Sequence, residues 1–117
     1  MKKFLAIYLG TPSDEKFTAW NAQPEEAKKK VMQEGMAAWG KWMQDNAAAV
    51  LDAGGPLGKT KKTDKGGVSD TKNALSGYVV VQAESHEAAA KLFENHPHFA
   101  IFPGESVEIM EIVPMPA

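Results

Sequence analysis

Two short apolar runs constrain the fold of this chain more than any other feature. The residues from Phe4 to Leu9 and from Tyr78 to Val81 are aromatic or aliphatic at every position. Successive side chains of a strand point to opposite faces, so both faces of these two strands are apolar. A sheet that meets water on one side alternates apolar with polar residues. The two runs therefore predict a sheet whose faces are both covered.

Three segments of the chain have the residue types of strands, and a polar segment precedes the second of them. Residues 3–9, 77–83 and 106–113 are rich in branched and aromatic residues and are predicted strands. Residues 57–76 contain five lysines and offer little to bury. Because long structureless segments are rare in compact domains, we expect an extended arm that turns at Asp64-Lys65-Gly66-Gly67.

Two helices are predicted between the strands. From Pro24 to Ala53 the apolar residues recur at spacings of three and four, which predicts one long amphipathic helix ended by Gly54-Gly55-Pro56. A break or kink is expected near Gly35, since glycine weakens a helix interior. Ser85 is a suitable N-cap for a second helix over 86–95.

The order of these elements is typical of the ferredoxin-like βαββαβ fold, in the α+β class. A short turn capped at Ser13 is expected before the long helix. A length of 117 residues fits a single domain that spans 1–117. Two helices cover only one face of the sheet, so the other face needs a partner. A second copy meeting it face to face as a homodimer is the simplest solution, and a private ligand pocket is the alternative.

Composition excludes several classes of function. The net charge is −2 and all thirteen basic residues are lysine, which gives no reason to expect nucleic acid or a membrane surface as partner. There is no cysteine, which excludes disulfides and thiolate metal sites. No segment reaches the ~20 apolar residues that cross a bilayer. We therefore expect a cytoplasmic protein.

Three stretches carry a resemblance to a known family. They are "LDAGGPLG" at 51–58, "GYVVVQAESHEAAAKLFENHPH" at 77–98 and "GESVEIMEIVP" at 104–114. Together they resemble the YCII-related (DGPF) family. The resemblance implies a dimeric α+β barrel, in which ferredoxin-like sheets pair and a pocket lies between sheet and helices. Members of the broader superfamily include small oxygenases, isomerases and dehalogenase-like enzymes.

The acid–base pair that the resemblance implies is absent from this chain. Family members considered enzymes carry a histidine in the first long helix and an aspartate just after the glycine-proline turn. The first position falls near Trp39 here, and Lys59 and Thr60 follow the turn. The resemblance thus implies the fold, the dimer and the place of a cleft, without the family's chemistry.

His96 and His98 are the remaining candidates for chemistry. On an extended segment held by Pro97 their side chains point the same way and are able to chelate a metal. A closed site needs two further ligands, for which only His86, Glu94, Asp70 or a water are available. Alternatively, they only end a helix, where imidazoles bond the last carbonyls. As a general acid or base, His98 needs an orienting carboxylate, for which Asp70 and Glu94 are available. We take His98, His96 and Asp70 as the catalytic candidates and expect no metal and no cofactor.

The candidate ligand-binding residues are mainly aromatic. Trp39 and Trp42 are suited to line an apolar pocket, although both positions also fit a core stripe. Tyr8, Lys59 and Ser69 complete this set. Two functions follow: a homodimer that binds a small molecule in a cleft without the inherited pair, or a small cytoplasmic enzyme in which His98 transfers a proton.

Overall fold

The computed structural model describes residues 1–10 and 15–116, so the turn predicted at Ser13 lies outside the described residues. Its strands are β1 Lys2–Leu9, β2 Val50–Pro56, β3 Thr60–Asp64, β4 Gly67–Thr71, β5 Leu75–Ala83 and β6 Ser106–Glu111. Its helices are α1 Glu15–Asn21, α2 Glu25–Asp45, α3 His86–Lys91 and α4 Pro97–Ala100.

Four strands form an antiparallel sheet in the order β2-β5-β1-β6. The first apolar run forms β1, which pairs with β5 on one side and with β6 on the other. Because β1 is central, its backbone groups are bonded on both edges. This order, with α2 and α3 in the connections, is the ferredoxin-like arrangement. The predicted α+β class and fold are confirmed.

The two faces of the sheet differ in burial. Phe4, Ala6 and Tyr8 of β1 lie under the helices and are buried, and Val79 and Val81 of β5 share that face. They pack with Trp42 of α2, with Ala89 of α3 and with Phe93, which follows α3. The residues that alternate with them in β1 and β5 lie on the opposite face and remain partly exposed. They are Leu5, Ile7, Leu9, Tyr78 and Val80.

The long helix ends eight residues earlier than predicted. α2 stops at Asp45, and residues 50–56 form the edge strand β2, which pairs with β5. At the C-cap, the backbone N–H of Asn46 makes the last helical bond to the carbonyl of Trp42 over 3.0 Å, and its side-chain amide donates to the same carbonyl over 2.9 Å. A side chain that competes for helix carbonyls is a stop signal in place of glycine. The prediction of a helix to Ala53 is therefore wrong.

Gly35 does not break α2, which is helical from Glu25 to Asp45. It is buried, and a Cβ placed there would lie 2.3 Å from the ring of Phe102. The glycine lets an aromatic ring from another part of the chain approach the helix backbone. The predicted break is therefore absent, and the residue serves packing.

The polar arm is a separate two-stranded hairpin, β3 and β4, which turns at Asp64 to Gly67 as predicted. The carboxylate of Asp64 accepts the N–H of Gly66 over 2.8 Å, and Gly67 has a positive φ of 104°. The arm does not join the main sheet. The second strand of the βαββαβ order is β2, which lies at the edge of that sheet beside β5. In the described part of the chain, no helix is long and apolar enough to span a membrane.

Candidate ligand-binding cleft

A cleft of about 360 Å³ lies between α2, the α4 corner and the end of the sheet formed by β2 and β5. Most of its wall is apolar, and the polar residues among those that line it are Tyr8, Ser76, Tyr78 and His98. Among the residues that the structure describes, the lining consists of Tyr8, Met36, Trp39, Ala53, Gly55, Pro56, Ser76, Gly77, Tyr78, His98 and Phe102.

The segment His96-Pro97-His98, called the HPH corner below, is a helical turn and not the extended segment that was predicted. Pro97 occupies the first turn of α4, where its fixed φ suits a helix start and its missing N–H costs nothing. His96 is the N-cap, and its Nδ1 accepts the backbone N–H of His98 over 3.0 Å. The two imidazoles therefore have different environments, one under the helical turn and one beside the cleft.

His96 is completely buried among aromatic rings. Trp39 packs edge-on with ring centroids 4.5 Å apart, and Trp42 lies 4.9 Å away. Its Nε2 lies 3.3 Å from the hydroxyl oxygen of Tyr8. Burial, together with the neighbouring His98, lowers the pKa of His96 to about 4. His96 is thus neutral at physiological pH and belongs to the wall behind the cleft.

His98 lines the cleft, and a hydrogen bond to the backbone of Leu9 holds its ring in place. Its Nε2 lies 2.8 Å from the carbonyl oxygen of Leu9, and since a carbonyl only accepts, Nε2 carries the proton of the neutral ring. Burial lowers the pKa of His98, while hydrogen bonds to the backbone of Leu9 and Ser106 oppose that shift. Gly104 makes room for the ring, because a Cβ there would lie 2.4 Å from it. The basic nitrogen of neutral His98 is consequently Nδ1.

Tyr8 sits at the centre of this aromatic group. Its ring centroid is 5.0 Å from that of Trp39 and 5.1 Å from those of His96 and His98. Burial raises the pKa of the Tyr8 hydroxyl well above its usual range, so the phenol stays protonated. Tyr8 therefore contributes a neutral hydroxyl to a largely apolar site.

The two tryptophans have different positions. Trp39 lines the cleft, at the place where the family resemblance expects a histidine. Trp42 lies in the core instead, and its indole N–H donates to the carbonyl of Leu92 over 2.8 Å. Trp42 is not among the described lining residues of the cleft and takes the core position that its sequence spacing also allowed.

The glycine-proline stretch shapes the opposite wall. Gly54 has a φ of +60°, and a Cβ there would lie 1.9 Å from the carbonyl oxygen of Tyr78. The carboxylate of Asp52 accepts the N–H of Gly54 over 2.8 Å, which fixes the bend. Gly55 and Pro56 follow it into the cleft lining. Only glycine combines this conformation with so close an approach.

The structure does not bring the polar candidates of the arm into the cleft lining. Ser69 and Asp70 lie on β4, Lys59 precedes β3, and all three are exposed. The carboxylate of Asp70 accepts from Lys61 over 2.7 Å. Where a carboxylate was expected to orient His98, the carbonyl of Leu9 does so, because the corner folds against the end of β1.

Metal-binding geometry is not evident at the corner. Within residues 1–10 and 15–116, no group of three or more His, Cys, Asp and Glu side chains comes together. Both nitrogens of His96 and the Nε2 of His98 have hydrogen-bond partners. Chelation by the pair would have to break these bonds.

Several lining residues were not predicted from the sequence. Met36 of α2 and Phe102, which follows α4, are two of them. Pro97 after a capping residue is a signal for a helix start, and it would have placed the two imidazoles correctly. The contact between Phe102 and Gly35 joins residues far apart in the chain, which no local pattern reveals.

Comparison with known proteins supports the fold. The family model described as the YCII-related domain matches residues 17–116. No curated protein matches the chain. A solved structure with the same fold is 5-chloro-2-hydroxyhydroquinone dehydrochlorinase (TftG) from Burkholderia phenoliruptrix AC1100, in complex with 2,5-dihydroxybenzoquinone. It is 18% identical with a TM-score of 0.54, and the alignment covers 92% of this chain and 90% of that chain.

Proposed function

Because the chain belongs to the YCII-related domain family, we propose that it is a homodimer that binds a small, largely apolar molecule in the cleft beside His98. The observation that carries this proposal is the composition of the cleft wall, where aromatic and aliphatic side chains surround a few polar groups. Apolar walls with a small number of convergent polar groups are typical of small-molecule sites.

The charges of the lining residues define the ligand further. None of the eleven lining residues that the structure describes carries a carboxylate, an ammonium or a guanidinium group. His98 is shifted toward its neutral form, and Tyr8 stays protonated. A highly charged ligand would lose its hydration without gaining an opposite charge. The site therefore suits a neutral molecule, or one with little charge, of the size of one substituted ring.

The dehydrochlorinase offers a useful comparison of ligand shape. Its complex contains 2,5-dihydroxybenzoquinone, a planar ring with oxygen substituents. In the present chain Trp39 and Phe102 provide two aromatic walls whose ring centroids are 6.2 Å apart. A planar ring fits beside such walls through stacking or edge contacts. The chemistry of that enzyme is not part of this proposal, since the acid–base pair implied by the family resemblance is absent here.

The homodimer is supported by the partly exposed apolar face of the sheet. Leu5, Ile7 and Leu9 of β1 lie beside Tyr78 and Val80 of β5 on that face. A contiguous apolar surface of this kind is costly in water and marks an interaction site. A second copy would cover it with an identical face in a two-fold arrangement.

Methyl NMR of 13C-labelled methionine tests ligand binding. Met36 lines the cleft, whereas Met32, one turn earlier on α2, lies outside its lining. Titration with ethylbenzene, a neutral single-ring probe, should shift the Met36 methyl resonance saturably and leave Met32 in place. An Ala53→Phe variant, which fills the cleft, should abolish the shift. Equal responses of the two methionines, or no response of Met36, would contradict the proposal.

A second candidate function is proton transfer by His98, as in a small cytoplasmic enzyme. It is favoured by the anchoring of Nε2 on the Leu9 carbonyl, which leaves Nδ1 as the basic nitrogen of a cleft residue. In deuterium oxide the protein should then accelerate exchange of the methyl hydrogens of acetophenone. His98→Gln keeps a donor for Leu9 but lacks a base, so it should bind the ketone without exchanging it. Equal exchange by both proteins would exclude this role.

A further inference from the structure

We infer that His96 is a positioning residue that turns the hydroxyl proton of Tyr8 away from itself, so that the cleft selects ligands with a hydrogen-bond acceptor oxygen. The inference rests on the proposed function and names the substrate class of the same site. Such oxygens occur in ketones, quinones and enolates, whereas a hydrocarbon of the same shape lacks them.

The hydrogen bonds of His96 determine which of its ring nitrogens carries the proton. Its Nδ1 accepts the backbone N–H of His98 over 3.0 Å, so Nδ1 has no proton. A neutral imidazole carries one proton, which must then be on Nε2. The N-cap geometry of α4 thus determines the tautomer of a buried histidine.

The tautomer of His96 in turn determines the direction of the Tyr8 hydroxyl proton. Since Nε2 of His96 is a donor, the Tyr8 oxygen 3.3 Å away accepts from it. The hydroxyl proton of Tyr8 must point elsewhere, and among residues 1–10 and 15–116 it has no acceptor. A buried donor without a partner is costly, and a ligand oxygen in the adjoining cleft would satisfy it.

The surroundings maintain this arrangement. Tyr8 is only 4% exposed and keeps its proton because burial raises its pKa. The ring of His98, which lines the same cleft, lies 5.1 Å from the ring of Tyr8. A ligand oxygen bonded to Tyr8 would therefore lie close to His98. This pairing places one polar end of the ligand at the corner and its apolar body against Trp39.

Two probes of nearly equal shape test the inference. Acetophenone has a carbonyl where ethylbenzene has a methylene, and the Met36 methyl resonance reports the Kd of each. The preference for acetophenone, given as the ratio of the two Kd values, should fall roughly fivefold in Tyr8→Phe, the value of one neutral hydrogen bond. His96→Asn should lower the ratio by about twofold, because the hydroxyl is then free to rotate.

The variants have matched controls. Asparagine is a strong N-cap, so His96→Asn keeps an acceptor for the His98 N–H and removes the ring nitrogen that donates to Tyr8. His86→Asn makes the same change at an exposed histidine bonded to the carbonyl of Ile109 and should leave the ratio unchanged. If both probes bind and the ratio is the same in Tyr8→Phe as in the original chain, the inference is overturned while the proposed function stands. If neither probe binds, the proposed function fails, and the ligand class fails with it.

The tautomer is measurable without any ligand. 15N NMR of histidine-labelled protein at pH 7 should show His96 protonated at Nε2 and bare at Nδ1. A proton on Nδ1 would overturn the positioning role, whatever the probes do.

Discussion

The backbone N–H of His98 donates to the Nδ1 atom of His96 over 3.0 Å, and this bond holds a neutral imidazole in the fully buried interior. Protonation of Nδ1 would break the bond and place a charge among aromatic rings. The corner that shapes the cleft is therefore sensitive to acid.

Stability should fall as the pH drops from about 6.5 to 4. His96 has a pKa of about 4 in the folded protein and an ordinary value near 6.5 when unfolded. Between these values the unfolded chain binds more protons, so the contribution is complete above pH 6.5 and is lost toward pH 4, by about 3 kcal/mol at most. His98 shifts in the same direction. Urea unfolding at pH 7, 5.5 and 4 measures the loss.

The carboxylates titrate over part of the same range, so a variant is needed to isolate the histidine. His96→Asn keeps the cap and removes the titrating group. Its free energy of unfolding should change less between pH 7 and pH 4 than that of the original chain. An equal change in both proteins would show that His96 is not the cause.

Two glycines of α2 should respond oppositely to alanine. Gly35→Ala places a Cβ 2.3 Å from the Phe102 ring, so overpacking should lower the free energy of unfolding by about 2 kcal/mol. Gly40→Ala meets nothing within 4 Å in the same helix and should raise it by about 0.5–1 kcal/mol. Thermal or urea unfolding compares them. A stabilised Gly35→Ala protein would mean that Phe102 does not pack there.

The neighbouring glycines of β2 form a second matched pair. Gly54→Ala combines a positive φ with a clash against the Tyr78 carbonyl, so we expect a loss of about 2 kcal/mol and weaker probe binding at Met36. Gly55→Ala has open space around the new Cβ and should have little effect on stability. Urea unfolding and the methionine titration measure both variants. Equal stability of the two would contradict the described bend.

The dimer proposal predicts a monomer when charge enters the apolar sheet face. Val80→Glu puts a carboxylate on that face, where pairing would bury it without a partner. Val68→Glu makes the same change on the hairpin, where the side chain is 68% exposed, and should remain dimeric. Size-exclusion chromatography with light scattering gives the masses. A monomeric original chain, or a dimeric Val80→Glu protein, would contradict this interface.

The sequence predicted the sheet better than the helices. The apolar run of β1 and its pairing with β5 depend on local alternation and burial, which leave a direct pattern in the residues. The end of α2 leaves no such pattern, because Ala47, Val50 and Leu51 continue the helical spacing beyond Asp45. The side chain of Asn46 and the available edge of β5 override that spacing.

The cleft was only partly predictable for a related reason. Tyr8, Trp39 and His98 were recognised by residue type, and all three line it. Asp70 was chosen because carboxylates commonly orient histidines, yet a backbone carbonyl fills that place, and backbone groups are not visible in residue types. The hydrogen bond between Tyr8 and His96 joins residues 88 positions apart and follows from the fold alone.

The most direct measurement of the central claim is a crystal structure of the protein soaked with acetophenone above the Kd measured by NMR. We predict the aromatic ring in the cleft beside Trp39 and Phe102, with the carbonyl oxygen within hydrogen-bond distance of the Tyr8 hydroxyl. A cleft that holds only water under these conditions, with the ligand absent or bound elsewhere, would contradict the account.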